Sequence, residues 1–106
     1  MYKVTISGSF HRHLSEINEA IQYFQGLECE ILSPRDVKVV ASIGDFIFVS
    51  SDIHRSILLT ENRHILSIAA SDFLWLVSPD GYVGQSTALE IGFAVAKSKT
   101  IYCIQR

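Results

Sequence analysis

The residues Phe73-Leu74-Trp75-Leu76-Val77 form an unbroken apolar run that decides the fold of this chain. Because the run does not alternate apolar with polar residues, it predicts a strand covered on both faces, as in a parallel sheet flanked by helices. Three predicted elements follow it: a loop at residues 78–85, a helix that begins at Ser86 or Thr87 and ends at Lys97, and a strand at residues 100–104. The last third of the chain therefore predicts a strand, a helix and a second strand.

The same alternation extends to the N-terminus. Strands are predicted at residues 2–6 and 27–32, and the apolar residues between them recur at helical spacing over residues 13–25. Gly26 follows at a position where helices commonly end on a left-handed residue. The N-terminal quarter therefore predicts another strand, helix and strand.

The middle of the chain leaves one alternative open. The β-prone runs 37–43 and 45–49 predict either a hairpin or one irregular strand, and a helix is predicted from an N-cap at Asp52 to Ser71-Asp72. Taken together, residues 1–106 predict a single doubly wound α/β domain of the Rossmann or flavodoxin-like type. Its sheet is expected to be mainly parallel, with four to five strands.

Composition narrows the class of protein. The chain has 106 residues, of which 48% are hydrophobic and 19% are charged, which excludes intrinsic disorder. A net charge of −2 offers no basic field for a nucleic acid polymer, and no apolar run approaches the roughly 18 residues of a membrane span. Cys29 and Cys103 fit no metal spacing and are interpreted as buried thiols of a reducing compartment. We therefore expect a cytoplasmic protein without a metal or cofactor.

Ligands of doubly wound sheets bind outside the carboxyl ends of the strands. Three predicted loops open there, at residues 7–11, 33–36 and 78–85. The first loop contains Gly8 and Ser9, which favour anion binding at a helix start, although a tight turn with positive φ at Gly8 explains the glycine equally well. The third loop and the helix start after it offer backbone donors and side-chain oxygens from Asp80, Gly81, Tyr82, Gly84 and Ser86, but residues 79–81 also fit an ordinary turn.

Glu90 is the most informative single residue. It is predicted in the first turn of a helix whose other residues are so apolar or small that the helix is expected to be nearly all buried. A carboxylate kept charged in an apolar cleft suits a nucleophile or a partner for a developing cation. Two simpler interpretations stay open: a capping box with Thr87, or a stripe of the helix that faces solvent.

Three segments resemble the nucleoside 2-deoxyribosyltransferase-like family, a group that includes deoxynucleoside 5′-monophosphate N-glycosidases. They are Ile6-Ser7-Gly8-Ser9, Ala70-Ser71-Asp72, and the stretch from Gly81 to Ala94 that contains Glu90-Ile91-Gly92-Phe93-Ala94. The resemblance covers the first strand and loop and residues 61–104.

The resemblance implies a reaction at an N-glycosidic bond. Glu90 corresponds to the glutamate that attacks the anomeric carbon, and Gly8, Ser9 and Ser86 correspond to residues that hold a 5′-phosphate. His64 stands where the family usually has an aspartate, so it either serves as an acid to the leaving base or marks loss of the transferase reaction. The resemblance also implies a homodimer or larger assembly, because a neighbouring subunit often completes these sites.

Two further functions stay open at this stage. The same loops suit a module that binds a nucleotide or an ADP-ribose-like ligand without chemistry, acting as a sensor. A structural α/β partner without a ligand is the third interpretation.

Overall fold

The computed structural model describes residues 1–35, 38–43, 46–49 and 57–104. Within these ranges the chain forms six strands and three helices. In chain order they are β1 (Lys3–Gly8), α1 (Phe10–Gly26), β2 (Glu30–Ser33), β3 (Val39–Ile43), β4 (Phe46–Val49), α2 (Ile57–Ala70), β5 (Phe73–Val77), α3 (Gln85–Ala96) and β6 (Thr100–Ile104).

Four strands form one parallel sheet in the order β2-β1-β5-β6. The chain moves from β1 to β2 in one direction and later adds β5 and β6 on the opposite side of β1. The winding therefore reverses between β1 and β5, where doubly wound sheets bind ligands beyond the carboxyl ends of the strands. The predicted α/β fold with a mainly parallel sheet is confirmed.

The open question in the middle of the chain is resolved in favour of a hairpin. Strands β3 and β4 pair antiparallel and form a separate two-stranded sheet. The predicted N-cap at Asp52 lies outside the described residues, and α2 is described from Ile57 onward.

Strand β5 is covered on both faces, as its apolar run predicted. On one face, Val77 joins a buried cluster with β1 and α1 that includes Ile6, Ile17 and Phe24, and Phe73 and Trp75 pack against it. On the other face, Leu74 packs with Ile68 of α2 and Ala94 of α3. Helix α1 therefore lies on one side of the sheet, and α2 and α3 lie on the other.

Helix α3 is less buried than its composition predicted. Leu89 and Val95 are 55% and 64% exposed, while Thr87, Glu90 and Ala94 are buried. The prediction of a nearly all-buried helix is wrong for a single chain, because the sheet and α2 cover only one side of α3.

Two smaller predictions are also wrong. Gly26 ends α1 without a positive φ. The N–H groups of Leu27 and Cys29 both donate to Phe24 O, and the left-handed residue lies between them, at Glu28 (φ 60°). Cys103 is exposed, since it lies on the edge strand β6, whereas Cys29 is partly buried against the core.

Candidate active site

A pocket of about 670 Å³ opens where the winding of the sheet reverses. This volume lies within the roughly 300–1,000 Å³ typical of small-molecule sites. The three predicted loops all contribute to it, together with α2, α3 and the β3–β4 hairpin. Its polar lining in the described residues includes Ser9, Ser33, Glu61, His64, Ser86, Thr87 and Glu90.

Glu90 reaches the pocket from the second turn of α3. The helix begins after an N-cap at Gly84, so Glu90 lies six residues into it. The capping-box interpretation with Thr87 therefore does not hold, and neither does the solvent-facing one, because Glu90 is only 5% exposed. The side chain lies in the pocket wall.

His64 lies beside Glu90 because α2 and α3 pack against the same face of the sheet. Its Nε2 is 3.2 Å from Glu90 Oε1 and 3.1 Å from Ser7 Oγ, at the end of β1. Its Nδ1 is 2.7 Å from Ser33 Oγ, at the end of β2. Both ring nitrogens are thus engaged by side chains of the protein, which fixes the orientation of the ring.

These contacts keep Glu90 charged. Burial by itself raises the pKa of a carboxyl group, but the charge of His64 and hydrogen bonds from His64, Glu61 and Ser7 outweigh burial and lower the pKa of Glu90 below its usual range. The pocket therefore holds an ionised carboxylate that is almost entirely removed from water.

A second acid, Glu61, lies in the same pocket and was not identified as a site residue from the sequence. It is one helical turn before His64 on α2, is partly buried, and lines the pocket together with Glu90. Burial, the hydrogen bond to Glu90 and the negative charge of Glu90 raise its pKa to about 9. The signal available in the sequence was an acid on the apolar stripe of α2, in register with Ile65 and Ile68.

The predicted anion-binding residues Gly8, Ser9, Gly84 and Ser86 also line the pocket, at the N-termini of α1 and α3. Gly84 caps α3 without a side-chain hydrogen bond. The N-termini of two helices thus meet at one pocket, and such termini favour negative charge.

The glycine at position 8 has a steric cause. A Cβ atom there would lie 2.8 Å from the carbonyl oxygen of Val77 and 3.3 Å from Ile17 Cδ1. Its φ is not in the left-handed region, so the tight-turn interpretation is wrong. Gly8 is required because β1 passes close to β5 beside the pocket.

The three predicted site residues at positions 80–82 of the third loop do not all line the pocket. Tyr82 lines the pocket, whereas Asp80 and Gly81 do not. Gly81 turns the loop with φ 83°, and Asp80 Oδ2 accepts from Arg12 Nε at 2.9 Å. Asp80 contacts α1 because loop 78–85 folds over the start of that helix.

In the described ranges, no group of three or more His, Cys, Asp or Glu side chains is arranged to hold a metal ion. No helix among these residues is long and apolar enough to cross a membrane.

The fold and the pocket at the winding reversal define a Rossmann-like α/β protein with a pocket at the carboxyl ends of its strands. No family model and no curated protein matches the sequence. Two solved structures share the fold. The CMP N-glycosidase BcmB of Clostridium botulinum aligns with TM-score 0.65 and 16% identity, covering 97% of this chain and 68% of its own. The 2-desoxiribosyltransferase of Leishmania mexicana aligns with TM-score 0.67 and 19% identity, covering 99% of this chain and 65% of its own.

This chain therefore spans about two-thirds of each of those proteins. Both belong to the nucleoside 2-deoxyribosyltransferase-like family that the sequence resembles. At these identities the likeness establishes the fold.

Proposed function

We propose that this chain is an enzyme that cleaves or transfers at the N-glycosidic bond of a nucleoside or nucleoside 5′-monophosphate, with Glu90 as the nucleophile. The observation that carries the proposal is an ionised carboxylate buried in a pocket wall, held by His64 at 3.2 Å. A buried carboxylate of this kind suits nucleophilic attack on an anomeric carbon, as in retaining glycosidases. The shared fold with an N-glycosidase and a deoxyribosyltransferase supports the same reaction class.

The reaction proceeds in two steps. Glu90 attacks C1′ of the sugar, the bond from C1′ to the base nitrogen breaks, and its electron pair leaves with the base. The sugar is then held on Glu90 as an ester. Water or a second base attacks C1′, the ester bond breaks, and Glu90 regains its electron pair and its charge.

His64 acts on Glu90 in this scheme. Because Ser33 and the Ser7–Glu90 pair engage both ring nitrogens, the ring is committed to holding the carboxylate rather than to reaching a leaving base. Its contact with Glu90 favours the ionised form of the carboxylate, which attack requires.

We propose that a 5′-phosphate binds at the N-termini of α1 and α3, which meet at the pocket. Ser9 and Ser86 line the pocket at the N-termini of α1 and α3, where free backbone N–H groups favour an anion. The CMP N-glycosidase among the structural neighbours acts on a nucleotide. We therefore favour nucleoside 5′-monophosphates as substrates.

We also propose that a second copy of the single domain covers the exposed side of α3, forming a homodimer or larger assembly. Leu89 and Val95 lie more than half exposed on that helix, and Leu66 of α2 is 66% exposed. Light scattering is expected to show that the wild type is a dimer or larger assembly. The same measurement is expected to show that Leu89→Asp is a monomer. A monomeric wild type would contradict this part of the proposal.

The principal experiment offers wild-type protein a panel of ribo- and deoxyribonucleosides and their 5′-monophosphates and measures released base by chromatography. Release of base from at least one 5′-monophosphate is expected, faster than from the matching nucleoside. Saturable binding of a nucleotide without any product would instead support the sensor interpretation.

Chemical rescue tests the role of Glu90 directly. In Glu90→Ala, azide can occupy the space of the carboxylate and attack C1′, which gives a glycosyl azide of inverted configuration while the base leaves. Turnover restored by azide, with that product, is expected. Glu28→Gln changes an exposed glutamate outside the pocket and serves as the control. Unreduced base release by Glu90→Ala without azide would remove Glu90 from the mechanism.

A further inference from the structure

We propose that Arg35 and Arg63 are catalytic residues that bind the leaving base and stabilise the negative charge that it carries as the N-glycosidic bond breaks. Their role in catalysis rests on the proposed function, and it supplies a group that the reaction needs. Both ring nitrogens of His64 are engaged by side chains of the protein, so this histidine does not assist the base.

Both arginines lie beside the contact that joins the end of β2 to α2. In that contact Ser33 Oγ is 2.7 Å from His64 Nδ1. Arg63 immediately precedes His64 on α2, and Arg35 follows Ser33 by two residues. Both arginines line the same pocket as Glu90. Two guanidinium groups from different elements are thus brought to one pocket.

Neither guanidinium is used to hold the fold together. Within residues 1–35, 38–43, 46–49 and 57–104, no hydrogen bond or ion pair engages the side chain of Arg35 or Arg63, and both residues are exposed. Arg12 shows the contrast, because its guanidinium is paired with Asp80 at 2.9 Å. An arginine side chain has only donors and stays charged. Two such side chains on one pocket suit a ligand group that is negatively charged and offers acceptor atoms.

The topology of the sheet separates the arginines from the proposed phosphate site. The strand order is β2-β1-β5-β6, so the N-termini of α1 and α3 follow β1 and β5, and Arg35 follows β2 on the other side of β1. A nucleotide carries its phosphate and its base on different carbons of the sugar, C5′ and C1′. With the phosphate at the helix N-termini and C1′ at Glu90, the base extends towards β2 and α2. Ile47 and Val49 of β4 line this part of the pocket and suit a planar base.

The charge on the base comes from the bond that breaks. As Glu90 attacks C1′, the electron pair of the bond from C1′ to the base nitrogen stays on the base, which leaves as an anion. Its charge spreads over ring nitrogens and carbonyl oxygens, and guanidinium N–H groups donate hydrogen bonds to these acceptors. The arginines give up no proton. The departed base takes its proton from water, and the hydroxide formed is neutralised by the proton released when water attacks C1′ in the second step.

The dependence of the rate on the leaving group separates this role from a structural one. The substrates are the 5′-monophosphate that wild type cleaves fastest and its analogue with fluorine on the base ring, whose base is a better leaving anion. Single-turnover base release from the parent compound is expected to fall by at least about tenfold in Arg63→Gln and in Arg35→Gln, because the anion loses a charged donor. The loss is expected to be at least about threefold smaller with the fluorinated compound, which depends less on that donor.

Two further variants serve as controls in the same assay. Arg63→Lys keeps the positive charge and is expected to retain most of the rate of base release. Lys97→Gln removes a positive charge at the C-terminal end of α3, outside the pocket lining, and is expected to match wild type. Equal losses with the parent and the fluorinated compound in Arg63→Gln and Arg35→Gln overturn the assignment and leave the proposed function standing.

A binding measurement without turnover distinguishes the two possible failures. It uses Glu90→Gln, because the amide is uncharged, as Glu90 is when the sugar is held on it as an ester. The probes are 5-nitrouracil and uric acid, which are anions at neutral pH, with the neutral bases uracil and hypoxanthine for comparison. Calorimetry is expected to show at least one anion binding at least about tenfold more tightly than the matching neutral base. This preference is expected to disappear when Arg35→Gln and Arg63→Gln are added.

The outcomes of this measurement and of the nucleotide panel are independent. If no panel compound releases base but the arginines give the preference for an anionic base, the base site stands and the proposed function fails. If base is released but neither anion is preferred, or the preference survives without the arginines, the assignment fails and the proposed function stands.

Discussion

Two carboxylate–histidine pairs with similar distances occupy very different surroundings in this molecule. His64 Nε2 lies 3.2 Å from Glu90 Oε1, and His13 Nε2 lies 2.9 Å from Asp80 Oδ1. The Glu90 side chain is 6% exposed and the Asp80 side chain 44% exposed. The first pair lies in the pocket wall and the second joins loop 78–85 to α1.

Asp80 has a structural role, because it joins loop 78–85 to α1. Arg12 Nε and Nη2 each lie 2.9 Å from Asp80 Oδ2, and the guanidinium lies 4.5 Å from the centroid of the Tyr82 ring. The Tyr82 N–H donates to Asp80, and this bond, with Arg12, lowers the pKa of Asp80. Arg12 and Asp80 compensate each other and are about half exposed, whereas His13 is buried.

Glu90 differs because a second acid lines the same pocket and because its own side chain is only 6% exposed. Charges interact more strongly where water is excluded. A carboxylate paired with a histidine therefore holds a loop in place at Asp80. At Glu90 the same kind of pair maintains a negative charge that suits bond formation. The contrast predicts that matched substitutions in the two pairs have unequal effects.

The largest difference is expected between Glu90→Gln and Asp80→Asn. Loss of the nucleophile is expected to lower kcat by at least about 10³-fold while a nucleotide still binds, because the amide keeps the shape and loses the charge. Asp80→Asn loosens only the loop that carries Tyr82, so its KM is expected to rise a fewfold with kcat nearly unchanged. Steady-state kinetics on both variants measure the difference. Equal losses of kcat would mean that the exposure of the pair has no bearing on its role.

A smaller effect is expected at the histidines. His64→Gln removes the imidazole that lies 3.2 Å from Glu90 Oε1 and lowers the pKa of Glu90, so this pKa is expected to rise and the acidic decline of kcat to move to higher pH. The loss of turnover is expected to be larger at acidic than at neutral pH, because protonation of Glu90 removes the nucleophile. A pH–rate profile checks the direction of the shift.

His13→Gln is the counterpart in the exposed pair. It is expected to lower the melting temperature, because His13 is buried, and to leave the acidic decline of kcat where it is in wild type. Movement of that decline in His13→Gln would show that the two pairs are coupled through loop 78–85.

The sequence was sufficient to predict elements whose signal is local. The run 73–77 contains only apolar residues, and this property alone placed β5 between two layers of helices. Glu90 was also identified locally, as a carboxylate on an otherwise apolar helix beside a glycine-containing loop. In both cases the property lies within one element and does not depend on its neighbours.

What could not be predicted depends on contacts between elements. Glu61 follows the apolar period of α2 and appears as one more member of that stripe until α3 places Glu90 against it. Gly8 suggested an unusual φ, but its cause is the carbonyl oxygen of Val77, almost seventy residues later in the chain. Helix α3 was expected to be buried because its composition does not reveal which side the sheet covers.

The smallest predicted effect concerns salt. The Debye length falls from about 10 Å at 0.1 M to about 3 Å at 1 M, which screens exposed pairs much more than buried ones. The difference in melting temperature between wild type and Asp80→Asn is therefore expected to shrink by at least half from 0.1 M to 1 M NaCl. The difference between wild type and His64→Gln is expected to change less, because the side chains of His64 and Glu90 are only 14% and 6% exposed. Thermal unfolding of the three proteins at both salt concentrations measures this. If the His64→Gln difference shrinks as much as the Asp80→Asn one, ions screen the pair of His64 and Glu90 as readily as the exposed pair, and burial does not strengthen the contact that lowers the pKa of Glu90.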